Sequence, residues 1–188
     1  MARQQQRPSK SVKSQKAKSQ PQKQQSYTPP HSQRQSFHLD FKNQAQKMAW
    51  GAFDKHDVLF LLGPAGVGKS HLAVAFAINE ILAKKKKKII LTRPVVEAGE
   101  SLGFLPGTFE EKINPYILPL LDCIERCVGK EGPQREAVDR SIEVAPLAYM
   151  RGRTFNDAVC IFDESQNATA SQIKLFMTRF GENSKIII

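Results

Sequence analysis

The chain has 188 residues and a formal net charge of +10, from 28 basic and 18 acidic side chains, a balance that favours contact with nucleic acid. No apolar stretch approaches the roughly 20 residues of a membrane span, and the N-terminus lacks the apolar segment of a secretory signal. The three cysteines have no metal-ligand spacing and no even count for a disulfide framework, which favours a reducing compartment. We therefore expect a cytoplasmic protein that does not enter a membrane.

The positive charge is concentrated in residues 1–36, which carry 8 basic and no acidic side chains. The same residues include 10 Gln, 7 Ser and 4 Pro, so they cannot bury enough apolar surface to offset the entropy of ordering the backbone. Their composition imitates a transit peptide, but Gln and Pro disfavour the amphipathic helix that such a peptide forms. We predict a disordered basic arm over residues 1–36 and one folded domain over residues 37–188, whose net charge is only +2.

Helix-like and strand-like segments alternate after the arm. In chain order, the pattern predicts a helix over 43–53, a strand over 58–62, a helix over 72–83, a strand over 88–92, a helix over 110–128, a strand over 158–162, a helix over 171–180 and a strand over 185–188. The predicted strands are continuously apolar, which is typical of a parallel sheet covered by helices on both faces. The predicted fold class is therefore α/β with three layers. Because the last apolar run is followed by no polar segment, we also expect the chain to be a fragment of a longer protein.

A glycine-rich segment, GPAGVGKS, follows the first predicted strand and precedes the second predicted helix. It matches the phosphate-loop pattern G-x-x-x-x-G-K-[ST], in which backbone N–H groups and a helix N-terminus surround phosphate oxygens. In that pattern the lysine reaches the β- and γ-phosphates and the hydroxyl ligates Mg²⁺. The alternative is a plain glycine turn, but the strand–loop–helix context favours nucleotide binding. The predicted nucleotide-binding residues here are Gly63, Pro64, Ala65, Gly66, Val67, Gly68, Lys69, Ser70 and the adjoining His71, for which we expect packing rather than acid–base chemistry.

Two acids, Asp163 and Glu164, follow the apolar strand AVCIF. Ligands of open α/β sheets bind at the carboxyl ends of the strands, so these acids and the phosphate loop are expected to share one crevice. We predict that Asp163 holds Mg²⁺ together with Ser70, and that Glu164 polarises the water that attacks the γ-phosphate. The pair could instead cap the following helix. Its combination with the phosphate loop favours hydrolysis over nucleotide binding alone.

Four segments together resemble the PhoH-like family, P-loop ATPases related to the helicase branch of RecA-type folds. They are GPAGVGKSHLAVA, ILTRPVVEAGESLGFLPGTFEEKINPY, APLAYMRGRTFNDA and IFDESQNATASQIKLFMTRFG. The resemblance covers residues 39–188 and implies that the last strand inserts between the phosphate-loop strand and the Asp163 strand. It also implies that the last strand leads into a Thr-Gly-Asp segment, which this sequence does not contain.

The resemblance assigns roles to further residues. It implies that Gln44 reads adenine through its side-chain amide, although a polar position on an amphipathic helix is the alternative. It implies that Gln166, in D-E-S-Q, couples the γ-phosphate to movement of a bound strand. Arg93 and Glu97, with Glu100 nearby, resemble a helicase segment that lines the nucleic-acid track, and a salt bridge in a turn is equally compatible with these residues.

Arg151 and Arg153 flank Gly152, and two guanidinium groups around a glycine suit phosphate binding. An isolated R-G-R would favour a solvated loop. Within the resemblance we predict contact with a nucleic-acid backbone or, in a ring of subunits, with the γ-phosphate of a neighbour. The lysine run 84–88 is typical of a solvated turn and only weakly of a nuclear-localisation signal.

The motifs predict a protein that binds ATP or GTP with Mg²⁺ and hydrolyses it. The resemblance implies a PhoH-like protein that prefers ATP and couples its hydrolysis to RNA binding or unwinding. The alternative is a nucleic-acid-binding or assembly module that uses ATP only as a conformational switch. A small-molecule kinase also uses a phosphate loop, but D-E-S-Q and the lack of a lid or acceptor-site signature disfavour it.

Deletion of residues 1–36 tests which part of the chain contacts nucleic acid. If the arm supplies most phosphate contacts, the deletion will flatten the dependence of RNA affinity on salt, because fewer counterions are released. Fluorescence anisotropy with a labelled RNA between about 50 and 200 mM salt measures both slopes. Unchanged affinity and slope would assign RNA binding to the folded domain.

Overall fold

A computed structural model describes residues 38–94 and 109–188 of the chain. The predicted arm over residues 1–36, and the residues Glu97 and Glu100, lie outside the described part. The helices are α1 (Gln44–Lys55), α2 (Lys69–Leu82), α3 (Phe109–Val128), α4 (Pro133–Asp139) and α5 (Ala170–Met177). The strands are β1 (Val58–Leu59), β2 (Lys88–Thr92), β3 (Ile142–Val144), β4 (Ala158–Phe162) and β5 (Lys185–Ile187).

The five described strands form one parallel sheet in the order β1-β5-β4-β2-β3. Strands of the sheet alternate with helices along the chain, so the predicted α/β class and P-loop-like core are confirmed. The last strand, β5, lies between β1 and β4, as the resemblance implies. All carboxyl ends therefore meet at one edge, which brings the loop after β1 and the acids after β4 to the same side of the sheet.

Alternate residues of the central strands point into two separate cores. Ile89 and Leu91 of β2 pack with α1, α2, α3 and α4 on one face, whereas Ile90 packs with α5 and a short 3₁₀ helix, Leu147–Tyr149, on the other. The two layers of helices explain why β2 and β4 are almost continuously buried. In the described part of the chain, no helix has the length and apolar character needed to cross a membrane.

The segment before β5 is tied closely to the segment before β4. The backbone N–H of Phe155 donates to the carbonyl of Arg179 at 2.9 Å, and the N–H of Asp157 donates to the carbonyl of Glu182 at 2.9 Å. The buried Ser184 hydroxyl accepts from the N–H of Ala158 at 3.1 Å. These bonds fix where β5 enters the sheet.

The prediction of a buried strand over residues 58–62 is wrong in length and in burial. Only Val58–Leu59 form a strand, and Phe60 and Leu62 are 54% and 89% exposed. Within the described sheet β1 pairs with β5 alone and is therefore an edge strand. The apolar run therefore predicted the position of the strand but not its place at the edge.

The sequence pattern missed α4 and β3. The strand β3 has only three residues and includes Glu143, so it lacks a continuous apolar run. It pairs with β2 and forms one edge of the described sheet. A short edge strand with a charged residue gives little signal in a sequence.

The lysine run 84–88 was predicted to be a solvated turn, which is wrong for part of it. Lys86 is buried, and its ammonium donates to Asn183 Oδ1 at 2.6 Å. Three other lysines of the run pair with acids, and these pairs are Lys85–Glu80, Lys87–Asp157 and Lys88–Glu143. The run therefore connects α2 and β2 to β3 and to the segments before β4 and β5.

Two glycine-to-alanine substitutions, one before β5 and one in α1, are expected to change the stability of the fold in opposite directions. A Cβ on Gly181 would lie 2.1 Å from Asn156 Oδ1 and 2.5 Å from the Phe155 carbonyl oxygen, so Gly181→Ala will destabilise the fold by roughly 1–3 kcal/mol or more. Gly51 lies inside α1 with no atom within 4 Å of such a Cβ. Gly51→Ala will therefore stabilise the fold by about 0.5–1 kcal/mol, because alanine favours the helix.

Thermal and urea unfolding of the two variants measure both effects. Equal stability of Gly181→Ala and the unmodified chain would show that the contact before β5 does not constrain the fold.

Candidate functional site

The loop between β1 and α2 has the backbone shape of a phosphate-binding loop. Gly66 and Gly68 have φ angles of +79° and +88°, which residues with a Cβ adopt only at a cost. Gly68 is the N-cap of α2 and has no side chain to bond the first backbone N–H groups of the helix. These donors, with the positive end of the helix dipole, form an arrangement that favours an anion.

Lys69, the first residue of α2, points its ammonium back across the loop. Its Nζ donates to the carbonyl oxygens of Gly63 at 2.8 Å and Pro64 at 2.9 Å. The loop is exposed, whereas Lys69 is half-buried. The ammonium is thus held over the same concave backbone that presents the N–H donors.

Ser70 and Asp163 connect the phosphate loop to the sheet. The Ser70 hydroxyl donates to Asp163 Oδ1 at 2.7 Å, across 93 positions of sequence. Ser70 lies in the first turn of α2 and Asp163 directly follows β4, so the contact requires β5 to hold β1 and β4 at a fixed separation. The structure thereby brings the two predicted metal ligands together as a pair of hard oxygen donors.

Glu164 is held by contacts to both of its carboxylate oxygens. Arg93 Nη2 donates to Oε1 at 3.2 Å, and the Gln166 side-chain amide donates to Oε2. Arg93 also approaches the neighbouring acid, with Nε 4.0 Å from Asp163 Oδ2. Arg93 follows β2 and the acids follow the adjacent β4, which explains their convergence.

The start of α1 and the start of α2 lie within electrostatic reach of each other. Burial, followed by the positive charges of Arg126 and Lys42, lowers the pKa of His71. Lys42 precedes the Asn43 N-cap, whose side chain accepts from the N–H of Gln46. Gln44 is the exposed first residue of α1, and its predicted contact with adenine stays a prediction.

The arginines flanking Gly152 lie in different environments. Arg153 is bonded to Glu143 of β3, and its guanidinium carbon lies 4.8 Å from the centre of the Phe155 ring. Arg151 is exposed. The side-chain contacts of Arg153 are therefore made along the β3 edge of the sheet, whereas Arg93 makes the arginine contact to the two acids. Phosphate binding by Arg151 and Arg153 stays a prediction.

Comparison with known proteins identifies the family. The family model described as PhoH-like protein matches residues 38–188. The chain belongs to the PhoH-like family. It is 50% identical over 147 residues to a PhoH-like protein of Bacillus subtilis, 51% identical over 143 residues to one of Mycobacterium tuberculosis and 44% identical over 150 residues to protein PhoH of Escherichia coli.

These matches cover 76–78% of this chain. They cover 46%, 41% and 42% of the three relatives in the same order, so this PhoH-like chain spans less than half the length of the curated relatives it matches.

Two cysteines of α3 also lie near the site of this PhoH-like chain. Cys123 and Cys127 are half-buried against the core formed by α2 and α3, and Cys127 Sγ lies 3.9 Å from His71 Nδ1. Burial raises the pKa of the Cys127 thiol to about 11 and, with a contribution from Asp163, also raises the pKa of Cys123. Their four-residue spacing places them on one face of α3, but it does not encode which element packs against that face.

The pairing of Arg153 can be tested by its pH dependence. Burial raises the pKa of Glu143, but hydrogen bonds and charges from Arg153 and Lys88 outweigh it and leave the pKa below its ordinary value of 4.5. The carboxylate therefore stabilises the native state above pH 4.5, and this contribution is lost as the pH falls through the lowered folded-state pKa. Arg153→Ala will lower the free energy of unfolding at pH 7 by about 1–2 kcal/mol.

Arg151→Ala is the matched control, because Arg151 is exposed and lies two positions away. Urea unfolding at pH 7 and at decreasing pH should show a deficit for Arg153→Ala alone, and this deficit should shrink under acid. An equal, pH-independent effect of both variants would contradict the ion pair.

Proposed function

We propose that this PhoH-like chain is the nucleotide-binding part of a Mg²⁺-dependent ATPase that couples hydrolysis to RNA. The observation that carries the proposal is the 2.7 Å hydrogen bond from Ser70 to Asp163, because it joins the phosphate loop to the acids at the carboxyl end of β4. A phosphate loop alone binds nucleotide, whereas a loop facing an Asp-Glu pair has the groups that hydrolysis needs. The D-E-S-Q segment makes a small-molecule kinase a weaker candidate.

The residues present fit a magnesium ion and a nucleoside triphosphate. The Ser70 hydroxyl and Asp163 carboxylate would hold Mg²⁺, which prefers oxygen ligands and usually binds one or two carboxylates with substrate phosphates. Among the described residues there is no cluster of three or more His, Cys, Asp or Glu, so a metal site built from such protein ligands alone has no support there. When bound, Mg²⁺ neutralises charge on the phosphate oxygens.

Each residue of the site has a distinct task in this proposal. Lys69 would exchange its bonds to loop carbonyls for phosphate oxygens, keeping the ammonium within the loop. Glu164 would polarise the attacking water, and Gln166, bonded to Glu164, would connect that group to bound RNA. Gln44 would contact adenine, and exposed Arg151 would be available to RNA phosphate or to a neighbouring subunit of a ring.

Two substitutions separate binding from hydrolysis. Lys69→Ala will reduce affinity for a fluorescent ATP analogue by about tenfold or more, because a charge-assisted contact to phosphate is lost. Glu164→Gln will keep that affinity but lower phosphate release by roughly 10²–10⁴-fold, because the amide cannot accept the proton of water. Fluorescence titration and a phosphate-release assay, each with and without RNA, measure the two effects.

The same measurements can overturn the proposal. Unchanged nucleotide affinity in Lys69→Ala would remove the phosphate-loop assignment, and full turnover in Glu164→Gln would remove Glu164 as the base. Nucleotide-dependent RNA affinity in an unmodified chain that releases no phosphate would favour the second candidate, a nucleic-acid-binding module switched by ATP. The basic composition of residues 1–36 is the observation that favours this candidate.

A further inference from the structure

The contact between Arg93 and Glu164 points to control of the water-polarising carboxylate. We propose that Arg93 is a positioning residue that restrains Glu164 until an RNA phosphate draws the guanidinium away, so that RNA binding releases the base for hydrolysis. This inference rests on the proposed ATPase function. It adds a physical link through which bound RNA would change the rate of ATP hydrolysis.

The sheet places Arg93 beside Glu164, at an edge where an RNA phosphate could also contact it. Thr92 pairs with Phe162 at the ends of β2 and β4, and the N–H of Asp163 donates to the Thr92 carbonyl at 3.0 Å. Arg93 directly follows β2 and Glu164 lies two positions after the end of β4, so the two residues emerge close together at the carboxyl edge. The side chains of Arg93 and Glu164 are 21% and 35% exposed, so the contact is sheltered but remains open to an incoming ligand.

The contacts on Glu164 restrain it in one orientation. A general base must direct an oxygen at the water that it polarises. In this structure Oε1 accepts from Arg93 and Oε2 accepts from Gln166, so both oxygens are turned toward protein donors. The backbone of Glu164 has a φ of +56°, a left-handed conformation that a non-glycine residue keeps only when its surroundings hold it.

The chemistry of Arg93 makes phosphate a natural competitor for this contact. A guanidinium presents five N–H donors in a planar fork, which fits phosphate as well as it fits carboxylate. Arg93 Nε lies 4.0 Å from Asp163 Oδ2, whereas Nη2 lies 3.2 Å from Glu164 Oε1, so the closer of the two contacts is the one to Glu164. An RNA phosphate at the edge of the crevice would therefore compete for a group that is already partly exposed.

The experiment compares ATP turnover of the unmodified chain, Arg93→Ala and Arg93→Lys, with and without single-stranded poly(U) RNA. We expect Arg93→Ala to raise RNA-independent kcat roughly tenfold, because one charge-assisted hydrogen bond of the restraint corresponds to about that factor. The KM for ATP should change less than about twofold, and added RNA should stimulate the variant little. Arg93→Lys, which keeps the charge but loses the fork, should be intermediate.

Arg140→Ala is the control, because Arg140 pairs with Glu136 in an exposed contact at the C-terminal end of α4. It should retain the basal rate and the RNA stimulation of the unmodified chain. The double variant Arg93→Ala with Glu164→Gln should lose the raised rate, which confirms that the raised rate depends on Glu164. A residue needed only for folding would lower kcat and the melting temperature together when it is removed, and it would not produce an RNA-independent rate.

Two outcomes would overturn the inference. If Arg93→Ala leaves the RNA stimulation ratio intact, or lowers basal kcat with unchanged KM, Arg93 does not restrain Glu164. If Arg93→Ala fails to fold, Arg93→Gln is measured in its place against the same expectations. The proposed function itself fails if the unmodified chain releases no more phosphate than Lys69→Ala, with or without RNA.

Discussion

The insertion of β5 between β1 and β4 is the constraint on which the whole site depends. Backbone hydrogen bonds hold neighbouring strands about 4.8 Å apart, so one intervening strand sets a gap of about 10 Å between the strand before the glycine loop and the strand before the acids. The first turn of α2 crosses this gap, and Ser70 reaches Asp163 at 2.7 Å. A one-residue slip of β5 would exchange its two faces, so the register of a three-residue strand fixes the geometry of the crevice.

Charge in the crevice is compensated by the protein itself. Arg93 is placed against both acids, and the Lys69 ammonium is bonded to two carbonyl oxygens. Half-buried charges that lack partners would cost stability, so these contacts let the fold form with its ionic groups already solvated by protein atoms. An anionic ligand would then exchange partners with these groups instead of meeting bare charges. Binding of such a ligand and rearrangement of the ionic contacts would consequently be linked.

The parts of the fold and site that the sequence predicts are those with strong local patterns. The strands 88–92 and 158–162 match the structure residue for residue, because strands buried on both faces have continuous apolar runs. The loop and the acid pair were predicted from motifs. The missed features depend on strand order: the edge position of β1, the pairing of β3 with β2, and the Arg93–Glu164 contact across 71 positions. No local pattern encodes which strands become neighbours.

The order of the strands along the chain also has a consequence for synthesis on the ribosome. The partners of β5 are β1 and β4, and both precede it in the sequence. The half-sheet β3-β2-β4 can assemble as soon as β4 has emerged, whereas β1 pairs only with β5 among the described strands and must wait. Such long-range closure is slow, so a nascent chain would expose the apolar side chains of β1 until residues 185–187 arrive.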